Sequence, residues 1–442
     1  MAIRFNKRSC FYLLLTLLCF LLMARYSFSA EIPRIVLTAV VVAMAMIGDK
    51  SEILAILMGC IPMHNAVDFY ICIAVCALIL AVKYYDQVKV GFSVILVIVT
   101  IIWEVLHCFA FPFTLQILIT SLIPFVFIAL LLSIDIQGIN YAFIVRLMAF
   151  LASFMCLVVL MNYIIRAEGN LSAMLSLLRR LGHLSEDEIL YGGAINPNSL
   201  GIINVLCMTA LLQLRPAGQQ KKLDMVLIFV LLLFGVLTLS RTFLVCLLTM
   251  FVLVLWGIRK DWKRFFRILG GTVIVSLLLL LVTNWLFPEV ISEFVDRFQV
   301  DDITTGRGDL MSVYHDYIID HPKVMFFGIG LSNLGEKLVE IYRVSWNVPH
   351  NSIQEMIIAW GIPGLLLMAL LIFVLIYESK QYSRNKTILH YAPLVILLVK
   401  SMAGQLLTSG YTLLALAFAF LSLCQEFNPV KELDESALSL ET

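Results

Sequence analysis

The sequence predicts an all-α polytopic membrane protein: a bundle of about 12–14 transmembrane helices with one large extracytoplasmic loop. Three observations carry that prediction. The 442 residues are 61% hydrophobic and 14% charged, whereas soluble domains carry about 25% charged residues. Apolar runs long enough to cross a bilayer follow one another along the chain, joined by short basic links. A single long polar interruption, Glu289 to Ser352, separates two strongly apolar segments. It spans roughly 65 residues, against about 4–6 for a usual connection, and loops that long are commonly functional.

A membrane helix needs about 20 mostly apolar residues. The runs that meet this description are 9–29, 33–48, 66–83, 91–110, 113–134, 140–165, 195–214, 223–239, 242–258, 268–287, 353–377, 391–408 and 410–424. A shorter run at 52–64 reads as a half-helix, an interfacial segment or a further crossing. The resulting organisation is N-terminal helices over 1–190, then 191–287 with an Asn-Pro-Asn and a Ser-Arg motif. The outer loop follows over 288–352, then C-terminal helices over 353–425 and a polar, acidic cytoplasmic tail over 426–442. Arg4, Lys7 and Arg8 before an apolar run resemble a signal peptide, but the many spans that follow favour a retained first helix.

Basic links mark the cytoplasmic side. Arg215, Lys221 and Lys222, the cluster Arg259 to Arg267, and Lys380, Arg384 and Lys386 belong there. Counting crossings from the 259–267 cluster places the long loop outside, together with 166–194 and the Ser240–Arg241 turn. A cytoplasmic N-terminus and a cytoplasmic tail require an even number of crossings, which favours a crossing at 52–64.

The net charge of +1 gives no basic excess with which to neutralise phosphates, so nucleic acid is excluded as a partner. The ten cysteines all lie in apolar runs and lack CxxC spacing, as buried hydrophobes do.

Charges inside spans are costly and ask for a reason. Glu104, Arg146 and Lys400 are such charges; snorkelling or a structural pairing within the bundle accounts for each. Arg241, between two spans joined by almost no loop, presents a planar fork suited to phosphate or pyrophosphate at the outer boundary. An interfacial anchor is the other reading. Arg307 lies in Thr305-Gly306-Arg307-Gly308, where glycines permit close approach of a ligand; a salt bridge to Asp301, Asp302 or Asp309 is the alternative. His350 and Asn351 stand just before a span, with Gln354 and Glu355 one turn below. A histidine there can serve as a general base toward a sugar hydroxyl, hydrogen-bond a phosphate, or rest at the interface with Asn351 as helix cap. His315, Asp316, Asp320 and His321 form no recognised metal-ligand set.

Taken in order, these residues resemble the O-antigen ligase and polymerase family of bacterial envelope polysaccharide enzymes. The pattern runs Asn196-Pro197-Asn198-Ser199-Leu200-Gly201, Ser240-Arg241, Thr305-Gly306-Arg307, Pro322 with Gly328 and Gly330, then His350-Asn351 followed by Gly361 and Gly364. It covers roughly 190–365; before that only the hydropathy agrees.

The resemblance implies a metal-independent glycosyltransferase without cofactor, working at the outer face of the bacterial cytoplasmic membrane on a glycan carried by undecaprenyl pyrophosphate. Arg241 and Arg307 would hold the pyrophosphate, and His350 would engage the acceptor hydroxyl or the phosphate. Asn198, Asn351 and Glu355 would complete the substrate contacts. The partners implied are the lipid-linked glycan, an acceptor glycan, membrane lipids, and flippase and chain-length regulator proteins. The long N-terminal half and the Asn-Pro-Asn stretch lean toward a polymerase of repeat units (O-antigen, capsule or exopolysaccharide). The alternative is a ligase passing finished glycan to a lipid or surface acceptor. A lipid-linked glycan transporter is the rival of another class, disfavoured because the notable charges cluster at the outer boundary and no repeat is visible.

Overall fold

In a computed structural model the chain is a helical bundle, described here over residues 6–136, 138–170, 196–215, 219–286, 307–334, 349–382, 386–402 and 404–425. The helices follow the apolar runs closely. They are α1 (Lys7–Tyr26), α2 (Arg34–Ile47), α3 (Lys50–Gly59), α4 (Phe69–Lys83), α5 (Phe92–Ala110), α6 (Leu115–Ser133) and α7 (Tyr141–Arg166). Next come α8 (Pro197–Gln213), α9 (Lys222–Leu237), α10 (Arg241–Gly257) and α11 (Trp262–Leu286). Two short helices, α12 (Arg307–Asp320) and α13 (Pro322–Phe327), lie in the loop region, followed by α14 (Ser352–Ser379), α15 (Ala392–Met402) and α16 (Gly410–Leu423). Among the described residues there is no strand, and five helices are long and apolar enough by themselves to cross a membrane: α1, α5, α6, α7 and α14. This is an all-α polytopic membrane protein.

Hydrogen bonds tie the helix ends into two layers. At one end Lys83 donates to the carbonyls of Met46 (2.7 Å) and Gly48 (2.8 Å), closing the C-terminus of α2, and Lys50 reaches the Asp135 carbonyl at 2.8 Å. The Arg146 guanidinium pairs with the Asp224 carboxylate as a fork, Nε to Oδ1 at 2.7 Å and Nη2 to Oδ2 at 2.9 Å. Buried Gln213 joins Tyr141 and Ser422 at 2.7 Å each. Lys222, Arg259, Lys380 and Lys386 belong to helix ends and links of this same layer. For Arg146 the pairing reading holds.

The 52–64 run is a helix of 10 residues, about 15 Å long, continued by buried turns to Asp68. The Asp68 amide donates to Thr38 at 2.8 Å, one turn into α2. Helix and turns together thus retrace most of the depth that α2 covers, and the second part of that path, 60–68, is irregular. Residues α1 buries, Phe11, Leu18 and Leu22, are fully enclosed, and Ser27 and Asn162 bond across the α1–α7 contact at 2.9 Å each. The first helix is integral to the packing.

Two predicted spans need correction. The run 353–377 is a helix broken at Gly361, whose φ of 69° is left-handed. The run 391–408 is helical only to Met402, and 404–409 is unwound. Both breaks are held by named side chains, and both border the candidate site.

Candidate active site

Four helix N-termini lie at the end opposite the basic layer, and the sequence candidates sit on them. Asn196 caps α8 and Asn198 occupies its first turn. Ser240 caps α10, accepting from the Phe243 amide at 3.3 Å, so that Arg241 is the first residue of that helix. Arg307 opens α12. Asn351 caps α14, its side-chain oxygen accepting from the Ile353 amide at 2.8 Å, with His350 just before it.

Contacts connect these termini in series. The Ser240 hydroxyl donates to Asn198 Oδ1 at 2.8 Å, joining the Asn-Pro-Asn and Ser-Arg motifs directly. Gly201 and Gly235 make this approach possible: a Cβ at Gly201 would lie 2.8 Å from Phe243 Cβ, and one at Gly235 would lie 2.2 Å from its ring. Helix α10 packs against α15, whose last residue, Met402, accepts from Asn351 Nδ2 at 3.4 Å. Ser352 donates to the Gly404 carbonyl at 2.8 Å. Gln354 donates to the Met311 carbonyl at 2.8 Å, one helical turn from Arg307, a rise of about 6 Å. This bond ties α12, which Arg307 opens, to the first turn of α14; the Arg307 side chain lies outside the described residues, as do Thr305 and Gly306. Arg241 and His350 are half-buried and Asn351 is buried.

Each helix N-terminus carries unsatisfied N–H groups and a positive partial charge, which suits an anion. An arginine as the first residue of a helix adds a full positive charge where the dipole already disfavours one. Such a placement is electrostatically costly by itself and fits a site that receives negative charge.

Residues 226–369 match the family model described as O-antigen ligase. This supports the O-antigen ligase and polymerase resemblance, and with it a glycosyltransferase-like activity of ligase or polymerase type on lipid-linked glycan in a membrane. Among curated proteins, none matches the chain. The matched segment holds Arg241, Arg307, His350, Asn351 and Glu355, but not Asn198.

Within the matched segment the glycine motifs build a joint. Gly361 breaks α14, and Pro363, lacking an N–H, cannot serve the Ala359 carbonyl. The freed carbonyls of Ile358 and Ala359 accept instead from the amides of Ile329 (2.9 Å) and Gly330 (2.8 Å). Gly328 and Gly361 both take left-handed φ, 72° and 69°. A Cβ at Gly328 would lie 2.3 Å from the Ala359 oxygen, and one at Gly361 2.5 Å from the Phe326 oxygen. Gly364 makes room for the Trp360 side chain, whose Cβ lies 2.1 Å from where a Cβ on Gly364 would be. The loop arm 307–334 is fastened to the helix that carries His350 through this joint.

Glu355 is placed differently from the substrate contact expected of it. It is fully buried; Oε2 accepts from the amides of Leu406 (2.7 Å) and Leu407 (3.0 Å), and Oε1 from the Thr408 amide (2.8 Å) and hydroxyl (2.5 Å). Four donors fill the acceptor capacity of a carboxylate, so Glu355 shapes the site by holding the unwound 404–409 segment. Lys400, buried, binds the other side of that segment through the Gln405 carbonyl and also Thr412 (3.0 Å). Together they satisfy both donor and acceptor groups of backbone that would otherwise be orphaned at membrane depth. Glu104 is neither snorkelling nor ion-paired: it accepts from Trp360 Nε1 at 2.6 Å and from the Leu331 amide at 3.0 Å. His321 bonds the Tyr317 carbonyl at 3.0 Å, and no group of metal-ligating side chains occurs among the described residues.

Gln354 and Glu104 were visible in the sequence without these partners, whereas Trp360 and the α5 residues Trp103 and His107 that hold the joint were not singled out. A polar or aromatic residue inside an apolar run was the available signal, and for Glu104 it was noticed but read as bland.

Proposed function

We propose that this chain polymerises oligosaccharide repeat units carried on undecaprenyl pyrophosphate into a surface polysaccharide at the outer face of the bacterial cytoplasmic membrane. The observation that carries the reading is the series of helix N-termini that gathers Asn198, Arg241, Arg307 and His350 at one end of the bundle. In this reading Arg241 and Arg307 hold the pyrophosphate and stabilise its charge as the glycosidic bond to it breaks. His350 takes the proton of the attacking sugar hydroxyl or hydrogen-bonds the phosphate, with Asn351 fixing the backbone on which it stands. No metal step is needed where two guanidinium groups and four helix ends supply the positive charge.

The description of the matched family model favours a second reading, transfer of finished glycan to a lipid or surface acceptor. Surface polysaccharide from a strain lacking the chain separates the two on a gel. Acceptors capped with a single repeat unit indicate a polymerase; full-length ladders retained on the carrier lipid indicate a ligase.

A further inference from the structure

The geometry points to Trp103, Glu104 and His107 on α5 as positioning residues of the transfer reaction, forming a latch that holds the loop arm against the break in α14. Helix α5 lies outside the segment matched by the family model, and no role in the site follows from its hydropathy.

The three side chains occupy one face of α5, at spacings of one, three and four residues. Each reaches a polar group at the joint, and the bonds to the joint each cross more than 200 positions of sequence. Trp103 Nε1 donates to the Trp360 carbonyl at 3.0 Å. Glu104 accepts from the Trp360 indole at 2.6 Å and from the Leu331 amide at 3.0 Å. His107 Nε2 donates to the Phe327 carbonyl at 2.6 Å, while Nδ1 faces the Trp103 carbonyl at 2.7 Å. Glu104 is 1% and Trp360 1% exposed, so water does not compete for these bonds.

The arm is thus gripped on both sides of Gly328-Ile329-Gly330. Phe327 and Leu331 flank that stretch, and both are bound by α5, while Ile329 and Gly330 are bound by the carbonyls freed at the break. Trp360 is the member common to both, its carbonyl and its indole each held by α5. A Cβ at Gly330 would lie 3.0 Å from His107 Cβ, so the second glycine of the stretch is the clearance for α5 itself. The same arm carries Arg307 at its start and touches Gln354 next to the His350 corner. Displacement of the arm by an ångström would misplace the reacting groups, and orientation is steeply rate-determining.

This inference rests on the proposed transferase reading, and its test separates the two. His107→Ala, His107→Gln, Glu104→Gln, Trp360→Phe and the Glu104→Gln/Trp360→Phe double variant are made in the full chain. Hydrogen exchange of the Ile329, Gly330 and Leu331 amides in detergent reads the latch without any substrate. The latch predicts faster exchange there in His107→Ala and Glu104→Gln, unchanged exchange in α7, and protection regained in His107→Gln, whose amide can still donate to Phe327. Unchanged exchange at 329–331 overturns it, as does loosening spread equally over α7. In membranes supplied with lipid-linked repeat units, the initial rate per molecule falls about tenfold in His107→Ala, Glu104→Gln and Trp360→Phe, and is regained in His107→Gln. The double variant slows the reaction by less than the product of the two single effects, since Glu104 and Trp360 share one bond. A product of the two effects, or wild-type rates at equal protein amount, contradicts the positioning role. Wild-type chain with no transfer activity, but with the expected exchange pattern, overturns the transferase reading and leaves the latch standing.

Discussion

The hydroxyl of Ser240 donates to the side-chain oxygen of Asn198 across 2.8 Å, joining the start of α8 to the start of α10 one residue before Arg241. The same oxygen atom of Ser240 caps α10, so one small side chain fixes both the helix and its neighbour. Ser240→Ala should cost about 1 kcal/mol in stability as a lost cap. It should reduce activity by more than the folded fraction accounts for, because Arg241 loses its fixed origin. Ser240→Thr should retain most activity. Initial rate against membrane protein amount checks this, and a loss that tracks protein amount alone contradicts it.

Glycines at the joint differ sharply from those of α11. Gly328→Ala and Gly361→Ala place a Cβ 2.3 and 2.5 Å from backbone oxygens at left-handed φ, a conformation that by itself costs about 1–2 kcal/mol for a residue with Cβ. Both should abolish activity. Gly270 and Gly271 in α11 have nothing within 4 Å of an added Cβ, and alanine there should stabilise the helix by about 1 kcal/mol each. Thermal midpoints of the purified variants test both directions.

Glu355→Ala removes the acceptor for three buried amides and a hydroxyl, each unsatisfied group costing about 1–3 kcal/mol. The expected result is loss of folded protein, with Glu355→Gln intermediate. Full protein amount with a raised KM for the lipid-linked unit would return Glu355 to the substrate contacts.

At the basic end, Arg146→Met leaves the buried Asp224 carboxylate without its partner, and breaking such a pair costs about 3–5 kcal/mol. The double variant Arg146→Met/Asp224→Leu should recover much of that loss. Activity per folded molecule should stay at the wild-type level in both, since the pair lies at the end opposite the site. Rates normalised to folded protein measure it.

The sequence made the bundle legible because membrane burial writes itself as unbroken apolar runs, and helix ends fell within a few residues of where hydropathy ended. The site was legible as motifs for a related reason: caps, left-handed glycines and a helix-opening arginine are local signals. What remained hidden depends on distant partners. The break at Gly361 needs the amides of Ile329 and Gly330, and the unwinding after Met402 needs Glu355, some fifty positions earlier in the chain. Glu104 and His107 were invisible as site elements since their partners lie beyond position 326. Such residues look like stray polar groups in a span until the fold supplies the other half of each bond.

The central claim is that the helix ends bearing Arg241 and His350 form one transfer site. It is tested most directly by Arg241→Ala and His350→Ala in a strain lacking the native chain, with polymer and lipid-linked repeat units measured together at matched protein levels. The account predicts that polymer disappears in both variants while lipid-linked units still reach the outer face of the membrane. Polymer of normal amount in either variant, or units accumulating on the inner face, would contradict it.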